Sequence, residues 1–422
     1  MLFGTRILEQ ADVLARFSES DGCITRTYLS DSHQRAAAYL IELMQQAGMQ
    51  TSVDALGNVV GRYAGMTDDA ATILCGSHQD SVVDAGRYDG IFGILSPIAC
   101  ISELNRHKRR LPYAIEVVAF GDEEGVRFDV TMIGSAAMAG RFDQRWLDKQ
   151  DAAGITMAEA LRRFGGNPAN WQQVQRDPGR IACFVESHIE QGPVLLDAGL
   201  PVGVVTAIAG VSRVRANVIG LAGHAGTVPM PLRHDALTAA AEMALAAEEL
   251  AMSRADRIVA TVGKFNVAAG GAINVIPGRI QFTVDLRSGD DEERRRAAAT
   301  LQEHCQAIAQ RRGVKLEWEV FFELNAAPCD AVLKRQLGHA ISKRGITLRE
   351  LASGAGHDAM KFDGVVPIAM LFVRCGNGGI SHNPAEIMSA EDADLATLVL
   401  LDFFEHFDAS ELAPARRVTH HR

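Results

Sequence analysis

Residues 71–120 read ATILCGSHQDSVVDAGRYDGIFGILSPIACISELNRHKRRLPYAIEVVAF. A short apolar run stands at each end, and a longer one of helical length, residues 90–107, lies between them. Brief, nearly continuous apolar runs suit strands covered on both faces. Strand, helix, strand in that order requires a crossover, and therefore a mainly parallel sheet. At the first joint, residues 76–90, the chain places one histidine and three aspartates: His78, Asp80, Asp84 and Asp89. A polar turn and a metal site both fit that stretch taken alone.

The rest of the chain narrows the choice. With 422 residues, two domains are expected. Apolar residues make up 47% and charged residues 22%, an ordinary globular balance with ample core. A formal net charge of -10 argues against nucleic acid or an anionic membrane as partner. The seven cysteines are scattered without a CxxC pair, which suits buried thiols in a reducing compartment. The first twenty residues have helical spacing and interspersed acids rather than the order of a signal peptide. No run approaches the roughly 18 apolar residues of a membrane span. A soluble, cytoplasmic protein is the expectation.

HQRAAAYLIELMQQAGM, residues 33–49, reads as a helix stopped at Gly48. From residue 212 the pattern becomes strand (212–221), helix (233–251), strand (257–267), strand (279–287), charged helix (290–312) and strand (314–324). That βαββαβ order is ferredoxin-like. It predicts an inserted domain, 212–324, between the two parts of a discontinuous catalytic domain, 1–211 and 325–422. The α/β character resumes with a buried strand in VVPIAMLFV (365–373) and a closing helix from Ser389, with Asp392 at the capping-box position. The tail, PARRVTHHR, reads as a polar terminus, and His420 and His421 are given no role.

Ligands of open α/β sheets bind beyond the carboxyl ends of the strands. His78 and Asp80 follow ATILC, Glu123 and Glu124 follow AIEVVAFGD, and His188 follows IACFVES. His382 comes shortly after VVPIAMLFV, and Asp89 stands just before a helix. Each alone reads as a hydrogen-bonded turn residue. Together, four strand ends deliver imidazoles and carboxylates, the ligands that borderline divalent ions prefer, and one carboxylate can bridge two such ions.

The chain resembles the M20 metallopeptidase superfamily. In particular it is similar to the amidase branch of hydantoinase/carbamoylase-type amidohydrolases, which includes N-carbamoyl-L-amino acid hydrolases, β-ureidopropionases and allantoate amidohydrolases. The resemblance rests on GSHQDS (76–81), GRYDGIFG (86–93), FGDEEGVRF (120–128), ESHIEQGPVL (186–195), GLAGHAGTVPM (220–230), NVIPG (274–278), DLRS (285–288), SGAGHDA (353–359) and GISHNPAE (379–386).

The resemblance implies two divalent ions per subunit, zinc or manganese, with cobalt and nickel also suited. His78 and His188 would hold one ion, Glu124 and His382 the other, with Asp89 bridging. Asp80 would accept the second ring N–H of His78, and Glu123 would be the general base. Peptidase relatives usually have an acidic residue at the place of His188, so this position points to the amidase branch. His224, on an inserted lid and dimerisation domain, would stabilise the oxyanion in the partner subunit of a homodimer. Gln191, Asn274, Arg287 and Gly356 would bind substrate. His357 stays open between site-lining and structural, and Asp84 reads as a solvated loop residue.

The implied reaction cleaves the terminal C–N bond of a carbamoyl or ureido group on a small carboxylate, releasing ammonia and carbon dioxide. Allantoate and N-carbamoyl-L-amino acids are the candidate substrates, with overall resemblance leaning to allantoate. An aminopeptidase or dipeptidase of the same superfamily and a catalytically inactive metal-binding relative are the alternatives.

Overall fold

The computed structural model describes residues 3–255, 257–267 and 271–412; the tail histidines His420 and His421 lie outside the described residues. The chain forms two compact units, one of Met1–Thr206, Pro328–Leu351 and Gly356–Arg422, the other of Ala207–Ala327 with Ala352–Ala355.

The first unit is built on the predicted α/β sheet. Four strands at its centre are mutually parallel, in the order Ala114–Phe120, Thr72–His78, Ile181–Ile189 and Ile368–Val373. All are essentially buried along their length, as continuous apolar runs require. The margins are antiparallel: Val59–Tyr63 pairs with Ala114–Phe120, and Gln50–Val53 with Val59–Tyr63 through a short turn that permits no crossover. Helices Phe3–Ala15, Asp31–Gln46, Ile91–Arg106, Ala331–Ser342 and Ala390–His406 supply the other layer of the core.

Register makes the parallel strands end level. His78 stands opposite Phe120, and His188 opposite Phe372, so the loops carrying the polar residues start from one edge. Two glycines allow the necessary close approach. Gly76 has φ 143°, and a Cβ there would lie 1.9 Å from the Val118 carbonyl oxygen. Gly90, with φ 67°, is pressed against His78; a Cβ would come within 2.6 Å of that ring.

The second unit has a four-stranded antiparallel sheet in the order Lys315–Leu324, Gly210–Ile219, Arg279–Ser288, Val259–Val267. Helices Ala236–Met252 and Asp291–Arg312 pack against it around Phe282, Met243 and Leu301. In Arg279–Ser288 alternate residues are buried, the period-2 signature of one covered face. The unit begins at 207 and ends at 327, wider than 212–324 because its first strand starts at Gly210. It also gains 352–355: the Ala209 N–H donates to the Ser353 carbonyl and the Arg287 guanidinium to the Gly354 carbonyl.

Six of the seven cysteines are buried and all are free thiols, and among the described residues no helix is long and apolar enough to cross a membrane. Ser389 caps the closing helix by accepting the Asp392 N–H, but the box is not reciprocal. The shorter Asp392 carboxylate takes the Ser389 hydroxyl and a two-pronged bond from Arg374 instead. Ser389→Ala is expected to cost about 1 kcal/mol, read as a lower urea midpoint for the first unit; an unchanged midpoint would refute the cap.

Candidate metal centre

The strand-end residues of the first unit converge. His78, Asp89 and His188 bring one potential ligand atom each within 4.8 Å of one another, and so do Asp89, Glu124 and His382. Asp89 belongs to both groups. Its Oδ1 lies 3.7 Å from His78 Nε2 and 3.3 Å from His188 Nε2, while Oδ2 lies 3.1 Å from His382 Nε2. Glu124 Oε1 is 3.5 Å from the same His382 nitrogen. Glu123 joins His78 and Glu124 in a further group within 4.8 Å.

Hydrogen bonds settle which ring nitrogens are bare. His188 Nδ1 lies 2.9 Å from the Ile189 carbonyl and His78 Nδ1 3.0 Å from the Asp80 carbonyl. A carbonyl only accepts, so each ring carries a proton on Nδ1 and turns its Nε2 toward Asp89, and the Gly90 N–H also donates to His188 Nε2 at 3.2 Å. Burial opposes a charge on His78, but Asp89, Asp80 and Glu123 together raise that ring well above the usual imidazole range. Burial holds the His188 ring neutral, its pKa lowered to about 4. The His188 lone pair and the Asp89 carboxylate repel unless a cation lies between them. Asp89 Oδ2 is buried and accepts no well-formed hydrogen bond, and it faces the His382 ring at 3.1 Å, which Asp89 raises to about 9: the pocket draws positive charge. The donor set of three imidazoles and two carboxylates fits divalent ions of the zinc or manganese type.

Burial pushes the Glu123 carboxyl well above the usual range, with Glu124, Asp358 and Asp80 adding repulsion and His78 opposing. Glu124 rises to about 7, first through burial and then through Asp89. Such a concentration of buried carboxylates is tolerable only with compensating cations or protons.

Asp80 requires a correction. The His78 ring N–H bonds to the Asp80 main-chain carbonyl, and the carboxylate stands off at 3.6 Å. That carboxylate instead accepts the backbone N–H groups of Glu123 and Glu124, at 3.0 and 3.2 Å. It fixes the turn presenting both glutamates, two donors that would otherwise be buried unpaired.

Gln191, in a left-handed conformation with φ 57°, donates to Asp89 Oδ1 at 3.0 Å. Gly356 borders the general-base candidate, since a Cβ there would lie 3.9 Å from Glu123 Oε1. His357 is buried with its ring edge-on to His188 at 4.5 Å, and Asp84 is exposed.

His224, Asn274 and Arg287 belong to the second unit. His224 and Asn274 are neighbours: His224 pairs with Val275 across a two-residue ladder, and the Ala225 N–H donates to the Asn274 carbonyl. The Gly226 N–H donates to His224 Nδ1, so the neutral ring carries its proton on the exposed Nε2. Arg287 is gripped by Asp285 and the Gly354 carbonyl.

Sequence reasoning missed the supports beneath these residues. Arg26 is buried and donates to the carbonyls of Gln79, Leu14 and Phe17, stapling the segment after His78. Glu186 is fully buried between the Ser77 hydroxyl and the Ala359 N–H. An isolated arginine in CITRTY carries no sequence signal. Glu186 had one: it lies two residues before His188 on a strand, hence on the same face.

With this geometry in place, the chain matches the model of peptidase family M20/M25/M40 over residues 74–406. The protein belongs to this family. It is 40% identical to an N-carbamoyl-L-amino acid amidohydrolase of Geobacillus stearothermophilus over 95% of this chain and 97% of that one. It is 38% identical to an allantoate deiminase of Arabidopsis thaliana, covering 93% of this chain and 80% of the relative. Among solved structures, an amidase of the hydantoinase/carbamoylase family from Burkholderia multivorans superposes with a TM-score of 0.88 at 34% identity, covering 95% and 97% of the two chains.

The arrangement predicts that divalent ions support the fold. Stripping with a chelator is expected to lower Tm, and zinc or manganese at 100 times Kd to restore about 2.7 kcal/mol. A Tm indifferent to both treatments would refute the site.

Proposed function

We propose that this family member is a metal-dependent amidohydrolase acting on the terminal C–N bond of a small carbamoyl or ureido carboxylate, an N-carbamoyl-L-amino acid or allantoate. The observation that carries the reading is the convergence of His78, His188, Glu124 and His382 on Asp89, with Glu123 alongside. The names of the closely similar relatives support the substrate class.

Two divalent ions would be held by His78 and His188 on one side and by Glu124 and His382 on the other, with Asp89 between, and when bound they would polarise the substrate carbonyl and acidify water. Glu123 receives the proton as water adds to the carbamoyl carbon and returns it to the departing nitrogen. Its buried, carboxylate-rich surroundings raise its affinity for that proton. The C–N bond breaks, ammonia leaves, and the remaining carbamate loses carbon dioxide to give an amine. Asp80 keeps Glu123 and Glu124 at fixed separation through their N–H groups.

His224 Nε2–H is the donor that meets the oxyanion. Arg287 recognises the substrate carboxylate by exchanging one of its present partners for it. Arg287 ends a strand of the four-stranded sheet, whereas His224 lies in a separate two-residue ladder whose two segments continue from and lead into the opposite end of that sheet. Arg279 pairs with Ile219 on the His224 side, and Arg287 pairs with Val211 eight residues further along. At ~3.4 Å per residue the strand from Arg279 to Arg287 runs about 27 Å, a span that places Arg287 at the end away from the His224 ladder and argues against one small substrate touching both. His224 and Asn274 therefore serve the site of a partner subunit in a homodimer, with the inserted domain acting as lid and dimerisation element. Exposed Leu221, Met230, Leu232, Ile273 and Val275 around His224 favour such an assembly.

Ammonia release should appear with one ureido or carbamoyl acid from a panel of allantoate, N-carbamoyl-L-amino acids and N-carbamoyl-β-alanine, and vanish with chelator. Amino acids released from dipeptides, with no ammonia from the panel, would establish the peptidase reading instead. Glu123→Gln should retain metal and lose turnover by at least about 100-fold; retained turnover would reject it as the base. Mixing inactive Glu123→Gln and His224→Ala subunits should restore about one quarter of wild-type activity, from one intact site in each mixed dimer. No recovery in verified mixed dimers would place His224 outside the partner's site.

A further inference from the structure

Glu386, at the end of GISHNPAE, is only 2% exposed. Among the described residues no lysine or arginine is paired with it. Its Oε1 accepts the backbone N–H of Tyr88 at 2.8 Å and that of Asp89 at 3.3 Å, and its Oε2 accepts the Ser381 hydroxyl at 2.7 Å. One carboxylate thus grips two loops almost three hundred residues apart, one ending in Asp89 and the other containing His382.

The surroundings are shaped for this grip. A Cβ on Gly86 would lie 2.2 Å from the Glu386 carboxyl carbon, so only glycine lets the 86–90 loop approach so closely. On the other side His382 is held at φ 53°, a left-handed conformation that is strained for a non-glycine residue and persists only where neighbours enforce it. The Glu386–Ser381 bond anchors the residue next to His382, and the Glu386 N–H closes the loop onto the Asn383 carbonyl at 3.0 Å.

A buried anion without a paired cation is costly. Two N–H groups and one hydroxyl offset part of that cost here, and glutamine could accept similar bonds. What a carboxylate adds over an amide is attraction for cations at Asp89, whose own N–H it holds, and at His382, the residue after Ser381; without such cations, burial and then Asp89 raise its pKa to about 7.

We propose that Glu386 is a positioning residue that joins the two ligand loops, setting the bridging carboxylate and His382 at the separation metal binding needs. The inference rests on Asp89 and His382 being ligands, as read above. It predicts coupled behaviour: weakening the grip loosens metal at both sides of Asp89 without touching substrate.

The test is a titration of metal-stripped, full-length protein with zinc, alongside kinetics and the Tm of the stripped form. Glu386→Gln is expected to bind zinc at least about 10-fold more weakly. Its kcat should fall with KM little changed, and its stripped Tm should stay close to wild type. Ser381→Ala, which removes one bond and leaves the charge, should shift the isotherm in the same direction by less. A wild-type isotherm for Glu386→Gln would overturn the proposal. If Glu386→Gln instead unfolds when stripped, Ser381→Ala decides, and an unchanged isotherm there reduces Glu386 to a structural residue. Asp89→Asn is the control. Zinc lost there but retained in Glu386→Gln rejects only the positioning role, whereas zinc retained in Asp89→Asn rejects the ligand assignment itself.

Discussion

One buried carboxylate organises this protein. Asp89 faces three imidazole nitrogens and has an oxygen that accepts no well-formed hydrogen bond. Two of those rings have their protons committed to main-chain carbonyls on the far side. Only His188, held neutral by burial, turns a lone pair on the carboxylate; Gln191 donates to it, and Asp89 itself raises His382 to about 9, so the pocket draws positive charge. Divalent cations held there would turn the centre into an attractive hub that ties together segments from distant parts of the chain.

The fold serves that hub by keeping four parallel strands level. The register of His78 with Phe120 and of His188 with Phe372 puts every ligand-bearing loop at one edge. Gly90 starts the helix Ile91–Arg106 directly beside Asp89, so the positive end of the helix dipole lies near the shared carboxylate. A ring of supports then surrounds the candidate ligands. Arg26 holds the segment after His78, Asp80 holds the paired glutamates, and Glu386 holds the loops of Asp89 and His382. Each is buried and fastened mainly to backbone, so each fixes where a ligand points.

The second unit follows a different logic. Its four-stranded sheet has one covered face and carries Arg287 at one end, while His224 and Asn274 belong to a separate two-residue ladder and its turn, next to the other end. The length of the strand sets them apart, and the proposed dimer converts this separation into two complete sites. The same strand spacing that stabilises the sheet would then make single subunits incomplete.

Much of this was legible in the sequence. Continuous apolar runs announced buried parallel strands, the βαββαβ order announced the second unit, and the positions of His78, Glu123, Glu124 and His188 at or just after strand ends, of Asp89 before a helix and of His382 in the loop after the last parallel strand could be read because chain direction alone decides which end of a strand a residue occupies. Tertiary structure decided what depends on atoms distant in the chain. It gave Asp80 to the glutamate turn instead of the His78 ring, since two unpaired N–H groups arrive there from residues 123 and 124. It brought Glu386 and Arg26 beneath the ligands, which no local spacing encodes. It also put Arg287 at the end of the four-stranded sheet away from the separate ladder that holds His224, a consequence of antiparallel pairing between strands about seventy residues apart. Local pattern fixes which residue types meet an edge; pairing across the chain fixes which atoms touch.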